Sequence, residues 1–410
     1  MIALSGARVV LPDRLLTAAT LVIEGDRISE VRPESGGGDP GSPLHHHYLV
    51  PGFIDVHVHG LEGFDTLDRL EGISPIAAMA ARLPRYGVTA FCPTTVACAP
   101  EALGRMLLDV RRAREMPAAG AARVLPAHLE SNFINDAFRG AQPVACLRSP
   151  RTALAGLGRV KSPQPHDDGA DEFPASDVLA AIERAGADVG ILTLAPELEG
   201  GLDLVRWATS RGLRVSLGHS AATFEQGLEA IAAGARQATH LFNRMPPLAH
   251  RAPGLAGAVL HSEEIAAELI CDGYHVHPAI VRTAVAAKRP SRIMAITDGT
   301  AVSGLPVGSR GALGGQPIVA GDSAALLGDG TLAGSVLTMD RAFRTLVENV
   351  GLSIVDAATL CATTPARELG LDGRGLLEPN AIADIVVLDE KLSVVRTYIA
   401  GQLVYQRSAD

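Results

Sequence analysis

Short apolar runs of strand character alternate with helical stretches between Tyr48 and Thr297, and this alternation limits most strongly what the chain can fold into. The runs are Tyr48–His57, Thr89–Cys92, Ala122–Leu129, Val189–Leu194, Arg214–Leu217, Gln237–Leu241, Glu268–Cys271 and Ile293–Thr297. Alanine-rich segments with helical spacing lie between several of them, including Ser176–Ala185, where Ser176 is placed to cap the helix, and Phe224–Ala233. Repeated strand–helix alternation predicts a parallel sheet, either closed as a (β/α)8 barrel or opened into a doubly wound sheet.

The two ends of the chain have a different texture. Ile2–Arg32 alternates apolar and polar residues with turn signals at Gly6, Pro12-Asp13 and Glu24–Arg27, which predicts short antiparallel strands. After the helical runs Asp340–Val350 and Ile354–Leu369, strand patterns return at Ala383–Leu388 and Val394–Val404. The ends are therefore expected to build one small β-sandwich from residues 1–50 and 375–410, with residues 51–374 forming the main domain. A chain of 410 residues has room for both, since single cores stop growing at about 250–300 residues. Gly36–Gly41 and Lys161–Glu172 read as loops.

Composition removes several classes of function. No window approaches the roughly 18–20 apolar residues of a membrane span, and no basic, apolar leader opens the chain, so a soluble cytoplasmic protein is expected. The net charge of −9 is spread without blocks, which argues against a nucleic-acid surface. Five cysteines without a CxxC pair exclude a cysteine zinc site or a disulfide framework as the organising feature.

The chemistry-bearing residues favour the barrel. His57-Val58-His59 ends an apolar strand, where alternation puts both imidazoles on one face, ready to clamp a metal. Glu130, His219, His240 and Asp298 each stand at or just beyond the carboxyl end of another strand run. In a (β/α)8 barrel these ends meet on the face where active sites form, so one topology makes all six residues converge. Nitrogen and oxygen ligands without thiolate suit a divalent metal, zinc first and iron or manganese after it, as one or two ions. None of Lys161, Lys288 and Lys391 ends a barrel strand, so no carboxylated lysine bridges the metals, and Glu130 can do so instead. Asp298, before Gly299, is the candidate for proton transfer, because a carboxylate near a bound metal can accept a proton from an attacking water and return it to a leaving group. In Asp272-Gly273-Tyr274-His275-Val276-His277, His275 is assigned to the substrate and His277 to a supporting or surface position. His45-His46-His47, in a polar connector, reads as a solvated loop.

These residues stand in recognisable surroundings. Pro51-Gly52-Phe53-Ile54-Asp55-Val56-His57-Val58-His59-Gly60 resembles the opening signature of the amidohydrolase superfamily. Gly87–Thr95, His128-Leu129-Glu130, Gly218-His219-Ser220, Thr239–Asn243, Asp272–His275, Thr297-Asp298 and Gly330–Ser335 are similar, in order, to the N-acetylglucosamine-6-phosphate deacetylase family. The resemblance implies a barrel with a small β-sandwich, a homodimer, and hydrolysis of an acetamide by a metal-activated water to give acetate and an amino sugar. It also implies that Glu130, His219 and His240 hold the principal metal, that Asp298 is base and acid, and that His275 touches substrate. The intact His57–His59 pair suits a second metal, and Asn243 and Arg251 match the family's phosphate-binding region.

Three positions depart from the family's pattern: Ser131-Asn132 where Gly-Pro is usual, Gln142 where a histidine is usual, and Arg244 where alanine is usual. They leave the metal set untouched and place Gln142 and Arg244 among the candidate substrate contacts. The resemblance thus implies an N-acetylated amino sugar as the small-molecule substrate, with its 6-phosphate the leading form and a related N-acyl compound the alternative. A dihydroorotase-type cyclic amidase is disfavoured by Glu130 in place of a bridging lysine. A metal- or ligand-binding protein without catalysis is disfavoured by Asp298.

Overall fold

The structure, a computed structural model, describes residues 1–34, 44–157 and 173–408. The segments Gly36–Gly41 and Lys161–Glu172, read above as loops, lie outside the described residues.

Both ends of the chain meet in one sheet. Four strands come from the start, β1 (Ile2–Val10), β2 (Leu15–Glu24), β3 (Arg27–Pro33) and β4 (Tyr48–Pro51). Eight parallel strands then form the barrel: β5 (Phe53–Val58), β6 (Val88–Thr95), β7 (Ala127–Glu130), β8 (Val189–Leu194), β9 (Arg214–Leu217), β10 (Gln237–Ala238), β11 (Ala266–Ile270) and β12 (Ile293–Ile296). An antiparallel insertion follows, β13 (Arg310–Leu313), β14 (Gln316–Ala320), β15 (Ala324–Leu327) and β16 (Leu332–Ser335). The chain ends on β17 (Ile385–Leu388), β18 (Val394–Ile399) and β19 (Gln402–Gln406). The seven end strands are ordered β19-β18-β17-β4-β1-β2-β3, and a bridge from Arg27 to Ile382 curls the sheet around its own apolar core, including Leu21, Ile23, Leu49, Ile385 and Val387.

The expected run Tyr48–His57 is two strands, not one. Gly52 divides them, because a side chain there would collide with Thr89; the chain leaves the end sheet and enters the barrel at that point. Each barrel strand pairs in parallel with the next from β5 to β12. Side chain and backbone join the last strand to the first. Asp55 of β5 accepts from the Thr297 hydroxyl at 2.6 Å, and the Asp298 amide donates to the His57 carbonyl at 2.9 Å. The barrel is therefore nearly closed at the mouth where its strands end, and the expected fold class is the one observed.

Two local expectations need correction. The helix Ala175–Ala185 starts at Pro174 without a side-chain cap, so Ser176 sits inside the first turn and does not cap it. The run Ile354–Leu369 is interrupted by a wider turn at Thr359–Thr363, between helices Ile354–Ala358 and Thr364–Glu368. The β13–β16 sheet was not expected from the sequence at all. It matters for function because Leu313, Leu332 and Gly334 form part of the cavity wall described next.

Candidate metal centre and active site

Strand ends deliver the ligand-type residues to one point. His57 is the penultimate residue of β5, His59 follows that strand, and Glu130 ends β7. His219, His240 and Asp298 each stand two residues beyond β9, β10 and β12. At that distance the chain must turn sharply out of the sheet, and all three adopt positive φ, at 48°, 28° and 50°. Such backbone costs on the order of 1–3 kcal/mol per residue and persists where the surrounding structure enforces it, typically at functional sites.

The side chains interlock around Glu130. Its Oε1 lies 2.8 Å from Nε2 of His219 and 2.9 Å from Nε2 of His240, and its Oε2 lies 3.5 Å from Nε2 of His59. His57 and His59 approach each other through Nε2 at 3.1 Å, and Asp298 Oδ1 stands 3.4 and 3.2 Å from those two nitrogens. Glu130 is thus shared by two ligand groups, one with His57 and His59 and one with His219 and His240.

The donor set fits a cation. His219 Nδ1 donates to the Phe138 carbonyl at 2.8 Å, and His57 Nδ1 faces Glu268 Oε2 at 2.8 Å. With those protons on Nδ1, both Nε2 atoms present bare lone pairs to carboxylate oxygens. Lone pairs so placed repel unless a proton or a metal ion lies between them. The charge states tell the same story. Burial by itself would lower the His57 pKa, yet the Glu268 charge and hydrogen bond push it up to about 10. Burial would raise Glu130, but the His219 charge and hydrogen bond hold it well below the usual carboxylate range. Asp298, likewise raised by burial, is brought below its ordinary value by the His59 hydrogen bond and the His57 charge. The pocket demands positive charge at its centre.

Above this cluster opens a cavity of about 270 Å³. His59, Glu130, His219, His240 and Asp298 form its floor, while Gln142, Asn243, Arg244 and His275 contribute to its walls. His57 is fully buried beneath them. His275 Nδ1 is held by Asp272 Oδ2 at 2.6 Å, which leaves Nε2 for a ligand. Asn243 Nδ2 is buried in the wall without a hydrogen-bond partner among the described residues, a donor awaiting an acceptor. Arg244, also at positive φ, packs against Gly140 and reaches the Leu332 carbonyl at 3.4 Å.

Not every expected contact has the expected surroundings. Gln142 lines the cavity, but its Nε2 donates to Glu130 Oε2 and its Oε1 accepts from the Ala97 amide at 2.7 Å, so its amide supports the ligand carboxylate. Arg251 is exposed and does not line the cavity of its own chain. His277 accepts from Ala279 N at 3.2 Å at the start of helix Pro278–Lys288, and His46 faces Glu390 at 3.0 Å on the surface. Sequence reasoning missed Asp272 and Glu268 as site residues. A lone acid inside the apolar strand Ala266-Ala267-Glu268-Leu269-Ile270 is the signal that could have found the second.

Comparison with known proteins is decisive at this point. The amidohydrolase family model matches residues 179–404. The human N-acetylglucosamine-6-phosphate deacetylase is 37% identical over 97% of this chain and 90% of its own length. This chain belongs to the N-acetylglucosamine-6-phosphate deacetylase family of amidohydrolases. An N-acetylgalactosamine-6-phosphate deacetylase of Escherichia coli O157:H7 is also similar, 34% identical over 87% of each protein. Among solved structures, the deacetylase of Thermotoga maritima superposes with a TM-score of 0.82 at 29% identity, covering 99% of this chain and 100% of the other. A mutant deacetylase of Mycobacterium smegmatis in complex with N-acetyl-D-glucosamine-6-phosphate gives 0.84 at 30% identity, covering 98% and 99%.

Proposed function

We propose that this chain hydrolyses the acetamide of an N-acetylated amino sugar 6-phosphate, N-acetylglucosamine 6-phosphate first, to acetate and the free amino sugar phosphate. The observation that carries this reading is the meeting of Glu130, His219, His240 and Asp298 on the floor of one cavity whose wall holds Arg244. Glu130, His219 and His240 would hold the principal divalent metal, for which zinc is our choice over iron and manganese, and His57 and His59 would hold a second. The metal would polarise the amide carbonyl and make water a better nucleophile at neutral pH.

The chain's own groups do the rest. Asp298 accepts a proton from the attacking water and later delivers it to the departing nitrogen, so the C–N bond breaks as the amine becomes neutral or cationic. His275, oriented by Asp272, donates or accepts through Nε2 on the substrate. Gln142 steadies Glu130. Arg244 and the unpartnered Asn243 amide supply charge-assisted contacts for the phosphate.

Arg251 argues for the homodimer. The resemblance assigns it to phosphate, while its own chain holds it outside its own cavity; both statements agree when a second copy supplies it. A cytoplasmic location accords with the lack of a helix long and apolar enough to cross a membrane among the described residues. The test is a kinetic panel. The 6-phosphates of N-acetylglucosamine and N-acetylgalactosamine and unphosphorylated N-acetylglucosamine are compared by kcat/KM, with light scattering for assembly. We expect a preference for the first; equal values with and without phosphate sink the phosphate assignment.

A further inference from the structure

Glu268 stands in the middle of β11 with no exposure to solvent. Its Oε2 lies 2.8 Å from His57 Nδ1 and 3.2 Å from the His240 amide nitrogen. Its Oε1 accepts from Gln237 Nε2 at 2.5 Å. Gln237 in turn accepts from Arg214 Nε at 2.7 Å, and Arg214 Nη2 lies 2.6 Å from Glu368 Oε2. Arg214 opens β9 and Gln237 opens β10, so this string of polar groups runs through the barrel from the mouth where the strands begin to a histidine of the metal centre.

An ionised carboxylate sealed from water costs several kcal/mol unless it is compensated, and none of the steps above uses this one. Nor is it part of a separate cation site. His57, His128 and Glu268 come close enough to hold an ion, but His128 is already engaged on both ring nitrogens, by the Val56 carbonyl at 2.9 Å and the Thr193 hydroxyl at 2.8 Å. What Glu268 can do is fix a tautomer. With the His57 proton drawn to Nδ1, the Nε2 lone pair faces His59 and Asp298, and a hydrogen bond to carboxylate makes the imidazole a stronger donor to a metal.

We infer that Glu268 is a positioning residue that locks His57 in the Nε2-ligating tautomer and thereby determines whether the His57–His59 side of the centre holds a second divalent cation. Gln237 and Arg214 keep the carboxylate from turning away. This rests on the metal centre of the proposed function and deepens it. Glu268→Gln keeps the size of the side chain but offers one oxygen to three donors, so either Gln237 or the His57 ring and His240 amide lose their partner. Glu268→Asp keeps the charge but withdraws it by one methylene.

The experiment titrates metal-free protein with Zn²⁺ alone, by calorimetry and by elemental analysis after dialysis, and records Tm with and without the ion. Wild type should take up a second equivalent. Both variants should keep the first and bind the second about 10–100-fold more weakly, with a smaller zinc-induced rise in Tm. Unchanged second-site affinity overturns the inference. So does a Tm loss of equal size with and without zinc, because that is the mark of fold support alone, and melting reads it even in a weakened variant. Wild type that takes up one equivalent also overturns it and leaves the function standing; wild type that binds none removes the metal-dependent function itself.

Discussion

Asp298→Asn separates proton transfer from metal binding. Asparagine has nearly the same shape and tolerates the positive φ of 50° at this position, so the backbone turn after β12 should survive. The residue is only 8% exposed, and its Oδ1 lies 3.2 Å from His59 and 3.4 Å from His57, so an amide can still occupy the space. What it cannot do is accept and return a proton. General acid–base catalysis is worth about 10²–10⁴-fold, and at about 1.4 kcal/mol per decade this corresponds to roughly 3–5 kcal/mol of barrier. We expect kcat to fall by that factor with KM within about threefold, since the loss is confined to the transition state. The assay is release of acetate or free amine under saturating substrate, with metal content measured on the same samples. Turnover within tenfold of wild type would refute the assigned role. Loss of metal in step with loss of activity would refute it differently, by making Asp298 a ligand and nothing more.

Arg244→Ala removes a cation from the cavity wall and should raise KM for a phosphorylated substrate about tenfold to a hundredfold, from the roughly 1.5–3 kcal/mol of a charged hydrogen bond; an equal effect on the unphosphorylated sugar would show that it does not read phosphate. Arg251→Ala mixed with Asp298→Asn should recover activity, since a mixed dimer has one site with both groups intact; additive inactivity after subunit exchange would end the argument for a shared site. Glu368 contacts Arg214, Arg292 and Arg367 at 2.6, 3.1 and 2.8 Å. Burial would raise its carboxyl, but Arg367 and Arg214 hold it below the ordinary 4.5. Its stabilisation is therefore full above that value and is lost as pH falls through the depressed folded-state value. Glu368→Gln should cost about 1 kcal/mol near neutrality, because solvent screens this half-buried cluster, and progressively less in acid, read from urea midpoints; a difference that stays flat across that range contradicts the assignment.

Much of the site could be read along the chain because its signals are local. A strand that ends in His-x-His, or in an acid after an apolar run, declares both its period and its terminus, and the barrel topology then requires the termini to meet. His57, His59, Glu130, His219, His240 and Asp298 needed no more than that. The four-stranded insertion β13–β16 escaped because its short, partly exposed strands carry weak patterns, and its contribution to the cavity wall depends on where the barrel mouth lies. Asp272 stands three residues before His275, but whether the acid turns back on the imidazole depends on the loop.

By itself, the sequence determined the alternating fold, the chemical kind of the candidate ligands and the face on which they gather, because periodicity and strand ends are properties of neighbouring residues. The tertiary structure alone decided which groups support them. Gln142 reaches Glu130, Glu268 reaches His57 across 211 positions, and Arg251 stays outside its own cavity. Those outcomes depend on packing between distant segments, where a hydrogen bond a few ångströms long has no counterpart in spacing along the chain.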